Sequence, residues 1–168
     1  MGLFCYDATM NYKLIILAPS CGGKSSLMRY LREKTDLHIA ETDEEVMKAN
    51  GDVWPDDKLK NEILVPKTTL EIIARENVIY FASYVPPELL VEAKARGFKI
   101  GVLEVPIEVL RKRNVQRMKV EGYDDVSQWF EAQLNGFKLL MERGIVDFSL
   151  DANQDIGKVA QAIQASLK

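Results

Sequence analysis

Apolar residues along the chain fall into short continuous runs that alternate with stretches of helical periodicity. Five runs have the length of buried strands, and the pattern predicts strands over 12–17, 38–40, 78–82, 99–105 and 146–150. Between them, apolar residues at intervals of three and four predict helices over 24–33, 43–49, 57–64, 67–75, 87–97, 107–118, 127–142 and 156–167. This alternation predicts an α/β fold, a three-layer structure with a five-stranded parallel sheet flanked by helices.

Three boundaries complete this description of the chain. Asp43 is a good helix N-cap, and we expect the second helix to start there. Pro66 divides the long stretch between the second and third strands, so we expect a separate helix on each side of it. Residues 1–168 are predicted to form a single domain, in which residues 1–11 show no periodicity and form a flexible N-terminal extension.

Composition and charge narrow the classes of protein that such a fold can serve. The apolar runs are far shorter than the ~18 residues of a membrane span, and no secretory signal is recognisable, so we expect a cytoplasmic protein, a monomer or a homodimer. Two cysteines and one histidine argue against a disulfide framework and a histidine-based metal site. A net charge of −3 argues against a dedicated nucleic-acid binder, which carries a basic excess.

The first predicted strand runs directly into a glycine-rich loop, APSCGGKS, at residues 18–25. The loop fits the pattern [AG]-x-x-x-x-G-K-[ST], which a chain of this length shows by chance roughly once in a hundred. Bare glycine backbone lets N–H groups surround phosphate oxygens, and the positive end of the following helix points at the same anion. The residues expected to contact ATP in this loop and at the start of the helix are Ser20, Cys21, Gly22, Gly23, Lys24, Ser25 and Ser26.

Individual side chains of the loop have distinct expected roles. Lys24 supplies a positive charge to the β- and γ-phosphates, and Ser25 offers its hydroxyl to Mg²⁺. Cys21 has two interpretations that the sequence leaves open. It is either a redox-sensitive switch on nucleotide binding or a small residue at a variable position of the loop.

With this loop in place, the sequence resembles the P-loop kinases of small molecules: shikimate and gluconate kinases, nucleoside monophosphate kinases and the related polynucleotide kinases. The resemblance covers residues 12–168. Glu41-Thr42-Asp43, after the second strand, resembles the Asp-x-Asp of shikimate-type kinases, although glutamate in the first position departs from that pattern. The resemblance implies that Glu41 helps to hold Mg²⁺ and that Asp43 orients or deprotonates the phosphoryl acceptor. For Asp43, helix capping is the alternative role.

An arginine-rich helix after the fourth strand resembles the lid of nucleoside monophosphate and polynucleotide kinases, and we assign the lid to residues 111–126. Arg113 and Arg117 lie four residues apart and therefore share a helix face. The resemblance implies that Arg113 lies on ATP and that Arg117 clamps the transferred phosphoryl group. A solvated basic helix face is the alternative. Together with Lys24 and Asp43, these arginines are the predicted catalytic residues.

The remaining contacts of the two substrates are predicted in the same way. In the kinases that the chain resembles, the loop after the fifth strand borders the adenine, which implies that Asn153 binds the base edge; turn formation is the alternative. Residues 44–76 are expected to bind the acceptor. This segment is acidic and aromatic, which suits a polyhydroxy or cationic acceptor, and Trp54 within it either stacks on the acceptor or closes an edge of the core.

Shikimate itself is not the expected acceptor, because lysines replace the family's arginine in this segment and the triple glycine after the third strand is absent. The sequence therefore predicts an ATP-dependent, Mg²⁺-dependent phosphotransferase acting on a hydroxyl of a small metabolite, nucleoside or nucleotide. Two alternatives stay open. One is a polynucleotide 5′-kinase, although nucleic acid is not the favoured partner. The other is a nucleotide-binding regulatory protein without turnover. No membrane partner is expected.

Overall fold

The protein is built around a parallel β-sheet, seen in a computed structural model that describes residues 11–167. The five strands are β1 (Lys13–Leu17), β2 (Ile39–Glu41), β3 (Val78–Ala82), β4 (Lys99–Glu104) and β5 (Phe148–Asp151). Their order is β2-β3-β1-β4-β5, and every pairing is parallel. The predicted α/β class and five-stranded parallel sheet are confirmed. The extension expected over residues 1–11 lies outside the described residues, except for Asn11.

Helices cover both faces of this sheet and complete the three predicted layers. They are α1 (Lys24–Lys34), α2 (Thr42–Ala49), α3 (Asp57–Leu59), α4 (Val65–Ile73), α5 (Pro87–Ala95), α6 (Ile107–Glu121), α7 (Phe130–Glu142) and α8 (Ile156–Ser166). A 3₁₀ turn at Ser127–Trp129 leads into α7. Within residues 11–167, none of these helices has both the length and the apolar character needed to span a bilayer.

The alternating side chains of the central strand divide the core into two layers. Ile15 and Leu17 of β1 pack on one side with residues of α4, α5 and α7, whereas Leu14 and Ile16 pack on the other side with α1 and α8. All four side chains are essentially buried. Because β1 lies in the middle of the sheet, its C-terminal end delivers the loop 18–25 to the centre of one sheet edge.

Helix α2 starts differently from the prediction. Its N-cap is Glu41, whose Oε2 accepts a hydrogen bond from the Glu44 amide at 3.0 Å. Glu41 keeps the extended backbone of β2, and the helix begins immediately after it, at Thr42. The prediction that Asp43 caps this helix is therefore wrong, and the Asp43 carboxylate is available for another role.

The two helices expected on either side of Pro66 form one continuous helical rod. Helix α3 leads into a π-helical turn, Lys60–Leu64, and the turn leads into α4. Pro66 lies in the first turn of α4, directly after the π-turn. Proline has no N–H to donate and its ring crowds the preceding turn, and the wider π-turn accommodates both features without ending the helix.

Candidate functional site

The phosphate loop is folded back on itself between β1 and α1. The Ala18 amide donates to the Ala82 carbonyl at 3.0 Å, and the Gly22 amide donates to the Pro19 carbonyl at 2.9 Å. Cys21 and Gly23 both have left-handed backbones, with φ of 61° and 91°. A Cβ atom on Gly22 would lie 2.7 Å from the Pro19 oxygen. The loop therefore requires the bare backbone that a phosphate cradle needs.

The start of α1 fits the binding of an anion. Gly23 is its N-cap, and no side chain within residues 11–167 caps this helix end. The first amides of α1 and the exposed hydroxyls of Ser25 and Ser26 are therefore presented at the end of the loop. By contrast, Glu41 and Asp155 cap α2 and α8 with their carboxylates. The residues present thus fit the phosphates of a nucleotide.

Lys24 and Glu41 form an ion pair at the base of the site. The Lys24 ammonium contacts Glu41 Oε1, and the side chains are only 13% and 8% exposed. Glu41 therefore binds Lys24 through one carboxylate oxygen and caps α2 through the other. Of the two predicted Mg²⁺ ligands, Glu41 thus contacts Lys24, and Ser25 follows Lys24 directly in the chain. Within residues 11–167, His, Cys, Asp and Glu side chains form no group of three that could hold a metal ion by themselves.

Helix α6 brings both predicted arginines onto the phosphate loop. Arg113 Nη1 donates to the Cys21 carbonyl at 3.3 Å, and Arg117 Nη1 lies 3.5 Å from Cys21 Sγ. The Arg117 guanidinium also stacks on the Tyr123 ring, 4.1 Å from its centroid. Burial lowers the pKa of Arg117, but hydrogen bonds to Cys21 and Tyr123 raise it and the net shift is upward. The prediction that these arginines share a helix face is confirmed.

The rest of the basic cluster on α6 faces solvent. Arg111, Lys112 and Lys119 are exposed, and Arg111 pairs with Glu131 at 3.4 Å. The interpretation of this helix as a solvated basic face thus applies to three of its five cations, whereas Arg113 and Arg117 are half-buried against the loop.

Two supporting residues, Gln133 and Asn114, are absent from the sequence predictions. Gln133 of α7 accepts from the Ser20 amide at 2.8 Å and donates to the Ser20 hydroxyl at 3.1 Å, so α7 holds the middle of the phosphate loop. Asn114 is 4% exposed, donates to Asp125 at 2.7 Å and accepts from the Val126 amide at 3.2 Å. It ties the end of the lid back to α6. In the sequence, the position of Asn114 between Arg113 and Arg117 is the one signal for these two residues.

The predicted catalytic acid, Asp43, lies one residue beyond the start of α2 and is half-exposed. Its Oδ1 is 2.8 Å from the ammonium of Lys60, on the π-turn. The same ammonium lies 4.3 Å from the centroid of the Trp54 ring. Trp54 is 53% exposed, so the interpretation that it closes an edge of the core is wrong. Asp43, Lys60 and Trp54 thus form a connected group. Lys60 and Trp54 belong to residues 44–76, the segment expected to bind the acceptor, and Asp43 lies directly before it.

Other acids of the acceptor segment are paired within the chain. Glu44 forms two hydrogen bonds to the Arg32 guanidinium, at 2.8 and 2.6 Å, and the contact lowers the pKa of Glu44. Glu45 binds Lys48 at 2.9 Å and Arg75 at 2.6 Å. Two acids of the segment are therefore paired with cations, which come from α1, from α2 and from the end of the helical rod.

Asn153 lies in the loop after β5, at the same edge of the sheet. Its amide donates to Asp151 Oδ1 at 2.8 Å, so its backbone takes part in a turn, while its side chain is exposed. The residue lines a cavity of about 580 Å³ that is bounded by the end of β4, by α7 and by this loop. The geometry thus shows the turn role and leaves the predicted contact with adenine as a proposal.

Comparison with known proteins finds likeness in structure. No protein-family model matches the chain, and no curated protein matches its sequence. The shikimate kinase of Acinetobacter baumannii, solved in complex with shikimate, is 17% identical with a TM-score of 0.68, over 94% of this chain and 93% of that one. A gluconokinase of Sinorhizobium meliloti is 16% identical with a TM-score of 0.61, over 93% and 91% of the two chains.

The chain has the fold of P-loop small-molecule kinases. This confirms the resemblance at the level of the fold, since the identities are too low to show more. A chain of the Pnkp1/Rnl/Hen1 RNA repair complex shares the kinase fold less fully, with 19% identity and a TM-score of 0.56 over 82% of this chain and 48% of that one. The loop, the acidic pair and the α6 arginines all lie at the sheet edge where ligands of such folds bind.

Proposed function

We propose that this protein is an ATP-dependent phosphotransferase that moves the γ-phosphate of ATP to a hydroxyl of a small metabolite, nucleoside or nucleotide. The observation that carries the proposal is the contact of both Arg113 and Arg117 with Cys21 in the phosphate loop. Guanidinium groups placed there suit a transferring phosphoryl group, whose charge is spread over three oxygens. The kinase fold of the structural neighbours supports the same activity.

On the donor side, this proposal gives each loop residue a role. The amides from Gly23 to Ser26 surround the phosphates, and Lys24 leaves Glu41 to bind the β- and γ-phosphates. Ser25 and the Glu41 carboxylate oxygen that Lys24 releases would hold Mg²⁺. Bound Mg²⁺ supplies positive charge to the phosphate oxygens during transfer. Arg113 lies along the nucleotide, and Asn153 binds the edge of its base.

On the acceptor side, Asp43 binds the hydroxyl that receives the phosphoryl group. The hydroxyl oxygen forms a bond to the γ-phosphorus while the bond from that phosphorus to the β–γ bridging oxygen breaks, and ADP leaves. The hydroxyl proton passes to the Asp43 carboxylate and from there to solvent. Arg117 stabilises the charge on the moving group. In this scheme residues 44–76 hold the acceptor and residues 111–126 close over it, within one cytoplasmic domain.

A polynucleotide 5′-kinase is the second candidate. The likeness to a chain of an RNA repair complex and the lid arginines favour it. The net charge of −3 opposes it, because a nucleic-acid groove needs a basic surface.

The test is ADP release, measured by a coupled assay, with panels of hydroxylated metabolites, nucleosides, nucleotides and 5′-hydroxyl oligonucleotides. We expect a metabolite, nucleoside or nucleotide to stimulate turnover. Asp43→Asn should lower that turnover about 10²-fold or more with ATP affinity unchanged, because proton transfer to a positioned base contributes that much. Asp36→Asn, which changes an exposed aspartate outside the acceptor segment, is the matched control.

Nucleotide binding is tested separately with a fluorescent ATP analogue. Lys24→Met should abolish binding, because it removes the charge that meets the phosphates. The change also leaves buried Glu41 unpaired, so the double variant Lys24→Met, Glu41→Gln shows whether a loss of binding reflects a loss of folding. ATP binding that no acceptor converts into turnover would instead favour a regulatory protein.

A further inference from the structure

Lys60 is the residue that joins the acceptor segment to the predicted catalytic acid. Its ammonium lies 2.8 Å from Asp43 Oδ1 and 4.3 Å from the centroid of the Trp54 ring. The Lys60 side chain is only 21% exposed, whereas Asp43 is 48% exposed. The lysine is thus the less exposed member of the pair, and the carboxylate is the more accessible one.

The backbone directs Lys60 to this position through an irregular turn. Lys60 opens the π-helical turn Lys60–Leu64, and Asp56 caps the short helix before it by accepting from the Leu59 amide at 2.9 Å. A π-turn contains one residue more than an α-turn, which shifts the helix face by about 100° relative to α4. Such turns occur frequently at functional sites, where the helix must present a side chain out of its regular sequence.

Trp54 gives the ammonium a second, independent contact. A lysine ammonium over an aromatic ring is attracted by the partial negative charge on the face of the ring. The contact restricts a side chain that otherwise has many rotamers. The ring remains half-exposed, so packing in the core does not account for its position. Trp54 therefore fixes Lys60, and Lys60 fixes one oxygen of Asp43.

We propose that Lys60, seated on Trp54, is the positioning residue for Asp43. It holds Oδ1 of the carboxylate and leaves Oδ2 for the acceptor hydroxyl, so that Asp43 meets the acceptor in one orientation. Because Lys60 already neutralises Asp43, the acceptor does not need a positive charge, and a cationic acceptor is disfavoured. The inference rests on the proposed phosphotransferase activity.

The kinetic test compares Lys60→Met with Lys60→Arg and Trp54→Leu, using the acceptor found in the panel above. Lys60→Met should lower kcat by about 10- to 100-fold, the loss expected when a reacting group is misplaced by about 1 Å. Affinity for a fluorescent ATP analogue should stay unchanged. Lys60→Arg should restore most of the rate, and Trp54→Leu should give a smaller loss than Lys60→Met. Lys34→Met, at an exposed lysine at the far end of α1 and outside the acceptor segment, should behave as wild type.

A second readout does not depend on the acceptor. The chain has two tryptophans, so Trp129→Phe leaves Trp54 as the sole tryptophan and as the source of the tryptophan emission. In this background, Lys60→Met should change the intensity or the emission maximum of Trp54, and Asp43→Asn should do so as well because it releases Lys60. Lys34→Met should leave both unchanged. Emission that is the same in all of these variants would overturn the proposed seat on Trp54.

The outcomes separate this inference from the proposed function. If Asp43→Asn lowers turnover and Lys60→Met does not, Lys60 has no positioning role and the inference is wrong, while the phosphotransferase proposal stands. If neither variant alters an acceptor-stimulated turnover that Lys24→Met abolishes, the assignment of Asp43 fails and the inference fails with it. A low rate in Lys60→Met that Lys60→Arg does not restore would also contradict the inference.

Discussion

Gly22 and Gly23 are neighbours in the phosphate loop, and each position requires glycine for a different physical reason. Gly23 has a φ of +91°, a left-handed backbone that side chains with a Cβ rarely adopt. Gly22 has no such φ, but a Cβ there would lie 2.7 Å from the Pro19 oxygen, which is itself held by the Gly22 amide. Cys21, just before them, adopts φ +61° and turns its carbonyl to Arg113.

Gly22→Ala should therefore damage the site far more than the fold. Forcing the loop open costs about 1–3 kcal/mol, which corresponds to a loss of ATP affinity of about 5- to 150-fold. Gly136→Ala in α7 is the matched control, because no described atom lies within 4 Å of its added Cβ. It should leave ATP affinity unchanged and stabilise the fold by about 0.4–1 kcal/mol. Analogue titration and urea unfolding measure the two effects.

Arg117→Ala should slow phosphoryl transfer by about 10³-fold, the scale of an arginine that stabilises transition-state charge. The protein should still fold, because the side chain lies between the loop and Tyr123 rather than in the core. Arg111→Ala removes a neighbouring exposed arginine and should stay within about twofold of wild type, since exposed ion pairs contribute little. Single-turnover kinetics and circular dichroism check both variants, and an unfolded Arg117→Ala protein would show a structural role.

At the scale of elements, a buried tyrosine fixes the position of α2. Thr42 donates to the Tyr80 hydroxyl at 2.9 Å, and Thr69 of α4 lies 3.3 Å from the same oxygen. Tyr80 is fully buried in β3, and burial raises the pKa of its phenol above the ordinary value of 10.0. Because Asp43 follows Thr42 directly, this contact sets where the predicted catalytic acid lies.

Tyr80→Phe should lower the free energy of unfolding by about 1–2 kcal/mol, because the hydroxyls of two threonines lose a buried partner. The raised pKa fixes the sign of the pH dependence. The stabilisation is fully present below pH 10.0 and is lost as the pH rises above that value. Tyr84→Phe, at a 55% exposed tyrosine, should change stability by less than about 0.5 kcal/mol. Urea unfolding at several pH values would contradict the prediction if the two variants matched.

Elements proved more predictable than the contacts between them. Hydrophobic periodicity gives all five strands, and the spacing of Arg113 and Arg117 gives their common face, because both signals are local. Gln133 meets Ser20 across 113 positions of sequence, and no local pattern encodes that distance. At Pro66 the local rule predicted a break, and the π-turn before it removed the need for one. The same turn also made the direction of Lys60 unpredictable.

At the scale of the whole molecule, charged side chains form ion pairs that join different elements of the fold. In residues 44–76, Glu44 pairs with Arg32 of α1, and Glu45 pairs with Lys48 and Arg75. The exposed cations of α6 lie together with acids such as Glu131. The net charge of −3 also disfavours the binding of a phosphate backbone, which requires a basic surface.

A 5′-hydroxyl oligonucleotide should therefore fail to stimulate ADP release. Its affinity at physiological salt should be weaker than about 10⁻⁴ M, the weak limit of non-specific binding. Fluorescence anisotropy of a labelled oligonucleotide measures the affinity directly. Binding in the micromolar range, with a steep dependence on salt, would reverse the order of the two candidate functions.

The pairing of Lys24 with Glu41 has a thermodynamic consequence for how the binding of nucleotide and the binding of Mg²⁺ affect each other. A phosphate that binds Lys24 leaves the buried Glu41 carboxylate without its cationic partner, which costs free energy. A divalent cation bound to Glu41 removes that cost. Under the proposed function, nucleotide and Mg²⁺ are therefore expected to bind with positive cooperativity, and by reciprocity each tightens the other by the same factor. Removing Mg²⁺ with a chelator should weaken ATP binding in the wild type and do so much less in Glu41→Gln, where no stranded charge remains.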